Sequence, residues 1–331
     1  MIESDALDDC SRCGCADRPE WPVWKPLRLS DHPTITALAN QLDAIYSDVW
    51  FTSCYAWDIH DDVVWSTIDG NLILRMPDYS SREPLTILAG VSNVPQVVKV
   101  LLADGPCVSL DLVPAHTAQL CDGDSDVVVA IDRDNADYLR DLSDLVRLEG
   151  KQFRHARNQV SRFIKGYPNY TVTVRRGRSV ADLSARREVD AIFEAWERTT
   201  DVSQDPSIER AALQRLLDVA PHFDLLLVTV YVDSQAVAFY LVEILTNAWS
   251  FGHFLKADRT VDGASTAVRM FAAQQLVAAG CRWFNEEQDL GLKGLRMSKS
   301  RLGPVKLLEK FTIRMATSVQ VDGVLTEKEG N

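Results

Sequence analysis

Three apolar runs follow one another almost without pause in the second half of the chain: "DLLLVTVYV", "AVAFYLVEIL" and "AWSFGHFL". Short polar breaks separate them, so each reads as a buried strand joined to the next by a tight turn. A long helix, "GASTAVRMFAAQQLVAAG", comes next, with Gly280 as its stop. "RWFNEE" is a further buried strand, and "VKLLEKFTIRM" is the last. Upstream lie the strand "YTVTVRR" and the helices "VDAIFEAWERTT" and "ERAALQRLLDVA". This order predicts a mixed sheet flanked by helices, an α/β (α+β) class.

A strand, two helices, three antiparallel strands, a helix and two strands is the element order of the N-acetyltransferase (GNAT) fold. The first half alternates in the same style. "DHPTITALANQLDAIY" has helical spacing, "DDVVWSTIDGNLILRMP" reads as a hairpin about Asp69-Gly70, and "PLTILAG" is a strand. "NVPQVVKVLLADG" reads as a helix, and "CVSLDLVP" as a strand. The expected architecture is therefore two tandem N-acetyltransferase-like domains. Residues 1–24 form a Cys-containing tail, 25–148 a first domain, and 149–331 a second domain with its connecting helix. The stretch from Asn135 to Pro168 is expected to be helical in two parts, broken near Gly150, with Phe153, Val160, Phe163 and Ile164 as its apolar stripe.

No apolar run approaches the ~20 residues needed to span a bilayer, and the acidic N-terminus does not resemble a signal peptide. A cytoplasmic protein is expected. Cys54, Cys107, Cys121 and Cys281 lie singly in apolar segments, as small buried hydrophobes do. Cys10, Cys13 and Cys15 form C-x-x-C-x-C, which with His32 would supply four zinc ligands. No second C-x-x-C pair completes the site, so no metal is expected.

The net charge of −12 is unevenly divided. Residues 1–150 carry 10 Lys/Arg against 26 Asp/Glu, whereas 151–331 carry 25 against 21. From Lys151 to Arg187 only Asp182 is acidic. Such a run is either a solvated face or a surface for a polyanion.

Two segments carry a specific likeness. "LEGKQFRHARNQVSRF" contributes Gly150, Lys151, Arg157, Asn158 and Phe163. "NEEQDLGLKGLRMSKSRLGP" contributes Asn285, Glu287, Asp289, Leu290, Gly291, Gly294, Leu295, Arg296, Lys299 and Pro304. Together they resemble the signatures of the phosphatidylglycerol lysyltransferase C-terminal family, and "SDVWFTSCYAW" resembles its N-terminal segment. One cation that often precedes the Arg-Asn pair is replaced by Ala156. The resemblance implies transfer of an aminoacyl group from charged tRNA to an acceptor, without a cofactor. In membrane-bound members the acceptor is a lipid headgroup. Soluble members are similar to the seryl-tRNA transferase of valanimycin assembly, an antibiotic pathway, whose acceptor is a small hydroxylamine. An amine, hydroxylamine or hydroxyl acceptor, or a lipid headgroup, is thus expected.

Because the ester is already activated, the protein need only stabilise the developing oxyanion and manage a proton. Arg296 and Lys299 are the expected electropositive pair, and either also suits a terminal phosphate. Glu287 and Asp289, alternating at a strand end, are expected to face one way as base or ammonium site. The alternative is that one of these acids pairs with Arg296 and locks the turn. Asn285, Gly291 and Gly294 are expected to shape the substrate site. Lys151, Arg154, Arg157, Asn158, Arg162, Lys165 and Arg301 are expected to bind tRNA.

An acyl-CoA-dependent N-acyltransferase is the main rival. That class receives pyrophosphate on a glycine-rich loop before its long helix. Here the loop is "RTVDGA", with Asp262 where the first glycine belongs, so the CoA site looks damaged. A non-catalytic RNA- or ligand-binding protein is the third reading. His253 reads as a hydrogen-bonded core histidine.

Overall fold

A computed structural model describes residues 18–316, apart from 80, 105–106, 200–205, 247 and 304. The Cys10, Cys13 and Cys15 tail lies outside the described residues. After β1 (Lys25–Pro26), the expected first helix is shorter than its apolar spacing suggests: α1 (His32–Ala39) stops early, while Leu42 and Ile45 are buried from irregular backbone. α2 (Phe51–Trp57) follows, and the hairpin β2 (Val64–Ile68) and β3 (Asn71–Pro77) turns at Asp69-Gly70 as expected. Both turn residues have positive φ, +49° and +81°, which matches the twist of the flanking strands. β4 (Pro84–Ala89) completes a four-stranded antiparallel sheet, β1-β2-β3-β4.

α3 (Val94–Asp104), β5 (Leu110–Pro114) and α4 (Ala115–Gln119) lead to β6 (Val127–Asp141). Here the structure corrects the sequence: residues 135–141, expected as helix, are strand. Leu139 pairs with Asn285 on one side and Lys306 on the other, and two-sided pairing overrides local helix propensity. α5 (Leu142–Arg147) and α6 (Arg154–Gly166) flank the break at Gly150. On α6 the buried stripe is Ala156, Val160 and Phe163, whereas Ile164 is exposed.

The remaining elements take the expected order: β7 (Thr171–Arg176), α7 (Leu183–Thr199), α8 (Pro206–Asp218), β8 (Leu225–Val232), β9 (Gln235–Ile244), β10 (Trp249–Ala257), α9 (Ala264–Ala278) and β11 (Trp283–Asn285). α10 (Lys293–Ser300) and β12 (Lys306–Met315) end the fold. The eight-stranded sheet runs β5-β12-β6-β11-β10-β9-β8-β7, so strands from both sides of residue 149 share it. The chain is thus a mixed α+β protein with two sheets flanked by helices, in an N-acetyltransferase-like arrangement.

The site is positioned by one departure from antiparallel order. β10 and β11 run parallel, in register at Trp249↔Trp283 and Phe251↔Asn285, and then separate. β10 continues along β9 to Ala257, while the chain after Asn285 turns away. This opens a wedge between the strands, and α2 lies close enough for Ser53 to bond Glu287 there. Among the described residues no helix is long and apolar enough to cross a membrane.

Candidate functional site

The segment Asn285–Gly291 is held from all sides, and each side chain goes to a different partner. Asn285 is fully buried; its amide donates to the Ile45 carbonyl (2.8 Å) and Asp137 (2.9 Å), and its oxygen accepts from the Glu287 amide. It therefore shapes the turn rather than facing a substrate. Glu286 is buried between Arg140 and Arg269. Burial alone would raise its pKa, but the two guanidinium groups hold it below the usual carboxylate range.

Glu287 departs from the sequence expectation. β11 has already ended, and Glu287 takes φ +58°, a left-handed conformation uncommon for a residue with a long side chain. It therefore turns away from Asp289. Its carboxylate accepts from Ser53 Oγ at 3.0 Å, and burial pushes its pKa up to about 7, against the pull of His253 and Lys299. Asp289 instead accepts from Arg296 (2.7 and 2.9 Å), Tyr138 (2.6 Å), Arg133 (3.3 Å) and the Gly291 amide (3.0 Å). Burial opposes its ionisation, yet the bonds from Arg296 and Tyr138 bring its pKa down to about 2. The two acids thus have opposite environments, one poised to exchange a proton and one permanently ionised.

The two expected catalytic cations are both engaged by the protein, Lys299 in the interior and Arg296 at the surface. Lys299 is buried, and its ammonium donates to the carbonyls of Glu286, Glu287 (3.0 Å) and Gln288 (2.6 Å). Burial lowers its pKa to about 8, opposed by Glu286 and Glu287. All three ammonium hydrogens are committed, which leaves none for an oxyanion or phosphate. Arg296 binds Asp289 and also Asp134 (2.7 Å). Gly294 lies in the first turn of α10, away from the acids.

A second buried cluster braces this segment from below. Lys310, fully buried, lies between Asp48 and Asp137 (2.7 Å), with Ser47 Oγ at 2.9 Å. Gln288 links to it through Ser47 (2.8 Å) and Asp48 (3.3 Å). Sequence reasoning missed Lys310, Asp137, Ser53 and Glu243. The available signal was a lone charge within an otherwise apolar run, as Glu243 is in "AVAFYLVEIL".

The expected tRNA-binding residues Lys151, Arg154, Arg157, Asn158, Arg162, Lys165 and Arg301 are all exposed. The structure divides them. Arg157 donates to the Leu148 and Gly150 carbonyls, and Arg162 pairs with Asp262 (3.2 Å). Further along the basic run, Arg175, Arg176 and Arg186 pair with Glu188, Asp224 and Asp218. Lys151, Arg154, Lys165 and Arg301 pair with no described residue. The Gly303 backbone lies against the Phe153 ring, which brings Arg301 to the start of α6, where Arg154 and the preceding short turn with Lys151 lie.

α6 also closes the loop that precedes α9. Gly263 caps α9 with φ +80°, and a Cβ there would lie 2.4 Å from the Gln159 carbonyl oxygen of α6. The Asp262 amide donates to Tyr167 Oη (3.2 Å). Two open clefts of about 220 and 310 Å³ lie elsewhere, beside Pro84, where they gather no group of shifted protonation from the wedge. Among the described residues no group of three or more His, Cys, Asp or Glu side chains is placed to hold a metal ion.

The fold that carries this wedge is a mixed α+β, N-acetyltransferase-like one. The chain belongs to the family described as phosphatidylglycerol lysyltransferase, C-terminal, which matches residues 52–314. A crystal structure of a conserved protein of unknown function from Bacteroides thetaiotaomicron VPI-5482 is 25% identical, with TM-score 0.74, covering 88% of this chain and 99% of that one. The C-terminal domain of a putative lysylphosphatidylglycerol synthetase from Agrobacterium fabrum is 15% identical, with TM-score 0.59 and coverage of 87% and 92%. L-PGS from Bacillus licheniformis is also 15% identical, with TM-score 0.56 and coverage of 85% and 91%. At that identity the likeness is one of fold. A search of curated sequences returned no match. Family membership supports transferase-type catalysis.

Proposed function

We propose that the chain transfers an aminoacyl group from charged tRNA to an amine, hydroxylamine or hydroxyl, carried by a small molecule or a lipid headgroup. The observation that carries this reading is the closure of the α9 N-terminus by α6. Pyrophosphate would need the backbone amides there, but Gln159, Tyr167 and the Arg162–Asp262 pair occupy their surroundings. A CoA donor is disfavoured, while the same helix and the short turn that leads into it offer Lys151, Arg154 and Lys165 to a polyanion.

Glu287 is the proton-handling group in this reading. With a pKa near 7 it exists in both forms at neutral pH and can give or take a proton as the ester exchanges. Arg296 and Lys299 act on the loop instead, fixing the backbone that presents Glu287. The co-substrate is tRNA itself, and no step calls for a cofactor.

The test uses labelled aminoacyl-tRNA and labelled acetyl-CoA in parallel, with hydroxylamine as acceptor. Labelled product is expected from the tRNA alone, and ribonuclease should abolish it. Turnover with acetyl-CoA that survives ribonuclease would replace this reading with that of an acyl-CoA N-acyltransferase.

A further inference from the structure

Two backbone irregularities face each other across the wedge, and both carry titratable side chains. In the parallel pair Phe251 is level with Asn285, so the positions two residues further along are His253 and Glu287. Glu287 is the left-handed residue already described. His253 is the extra residue of a β-bulge, since Gly252 pairs with Val242 and Phe254 with Leu241. Bulges re-aim a side chain, and they are over-represented beside active sites.

The bulge sends the His253 ring into a buried position, where Nε2 lies 2.9 Å from Glu243 Oε2. Glu243 also accepts from Thr52 Oγ1 (3.0 Å) and from Trp50 Nε1 (3.4 Å). The indole can only donate, so Glu243 accepts there, and as a carboxylate it accepts from Nε2 as well, which places the shared hydrogen on that nitrogen. In the neutral ring the lone pair then resides on Nδ1. No described residue hydrogen-bonds that atom. Although the residue is more than nine-tenths buried, Nδ1 keeps some contact with solvent, so the ring is anchored at one nitrogen and open at the other, the one an acceptor can reach.

We propose that Glu243 and His253 form a carboxylate–imidazole dyad whose Nδ1 takes the proton of the acceptor nucleophile. The proposal rests on the transferase reading above and adds a second proton-handling group to it. As the acceptor's N or O bonds to the aminoacyl carbonyl carbon, its proton passes to Nδ1. As the bond from that carbon to the ribose oxygen breaks, the protonated Glu287 carboxyl gives that oxygen its proton. The imidazolium proton then returns through solvent to Glu287, and both groups are restored. Glu243 orients the ring and stabilises its charged form, as an acid behind a catalytic histidine does. The titratable and charged groups around the pair are Lys299, Asp137, Tyr79 and Tyr240 about Glu287, and His32 beside Glu243.

Two measurements on the full chain test this. The first is independent of the reaction: nitrogen NMR of 15N-histidine-labelled protein, with His253 assigned by its loss in His253→Gln. An unprotonated Nδ1 with a protonated Nε2 at neutral pH is expected, and Glu243→Gln should weaken that preference. A protonated Nδ1 in the neutral ring overturns the proposal. The second is single-turnover transfer from charged tRNA. His253→Gln should slow it about 10²–10⁴-fold with unchanged tRNA affinity and melting temperature, and added imidazole should partly restore His253→Gly. Unaltered transfer by His253→Gln overturns the role as base. If the wild type transfers nothing from charged tRNA, the transferase reading falls, and the NMR tautomer still decides the dyad.

Discussion

Glu287 is uncommon for its backbone before it is uncommon for its chemistry. A carboxylate side chain held at φ +58° costs conformational energy, which the surrounding contacts must offset. Those contacts are the Lys299 bonds to the carbonyls of residues 286–288 and the Asn285 bond to the Glu287 amide. The side chain's own protonation also bears on stability. Its folded pKa of about 7 lies above the ordinary 4.5, so the fold favours the protonated form. That contribution is complete below about 4.5 and is lost as pH rises through about 7. Glu287→Gln stays neutral throughout. The melting temperature of the variant relative to wild type should therefore rise between about pH 5 and pH 8, while transfer falls at every pH. A relative melting temperature that is flat with pH would mean that Glu287 ionises freely in the fold.

Among the elements, α6 joins two tasks. Its buried face packs through Ala156, Val160 and Phe163, and its Gln159 carbonyl seals the loop before α9. Its outer face carries the free cations Lys151, Arg154 and Lys165, counting the short turn that leads into it. Binding to tRNA should weaken steeply with salt through counterion release. Replacing those three by Ala should reduce the salt slope by about two to three units. Arg157→Ala and Arg162→Ala should change it less, since both side chains already have protein partners. Binding measured over a salt series checks the ranking. An equal effect from both sets would mean that the paired arginines release their partners on binding.

Across the whole molecule, the second buried cluster ties the first half of the chain to the second. Asp48 precedes α2, Asp137 lies on β6, and Lys310 comes from β12. A core of Phe51, Trp65 and Leu74 continues into Phe193, Leu216 and Phe239, so the halves also share apolar packing. Lys310→Met should leave two carboxylates facing each other without a cation and cost about 3–5 kcal/mol. Calorimetry should show one transition at lower temperature, not a separate early melting of the four-stranded sheet. Two resolved transitions would mean that the halves fold independently of this cluster.

What the sequence settled by itself were the features that repeat locally. Strands β8, β9 and β10, the hairpin at Asp69-Gly70 and the helix stop at Gly280 all follow from short-range apolar spacing and turn chemistry. The motif from Asn285 to Lys299 identified the family, because its residue types and spacing are specific. The sequence did not decide where those side chains point. Lys299 reads as a free cation until three carbonyls surround it, and Glu287 and Asp289 read as a pair until a left-handed residue separates them. Residues 135–141 read as helix until β11 and β12 pair with them. Ser53, Glu243 and His253 converge on the wedge from separate elements, and no local pattern encodes that meeting. The reason is physical: burial, desolvation and hydrogen-bond partners are properties of neighbours in space, and these neighbours come from distant parts of the chain.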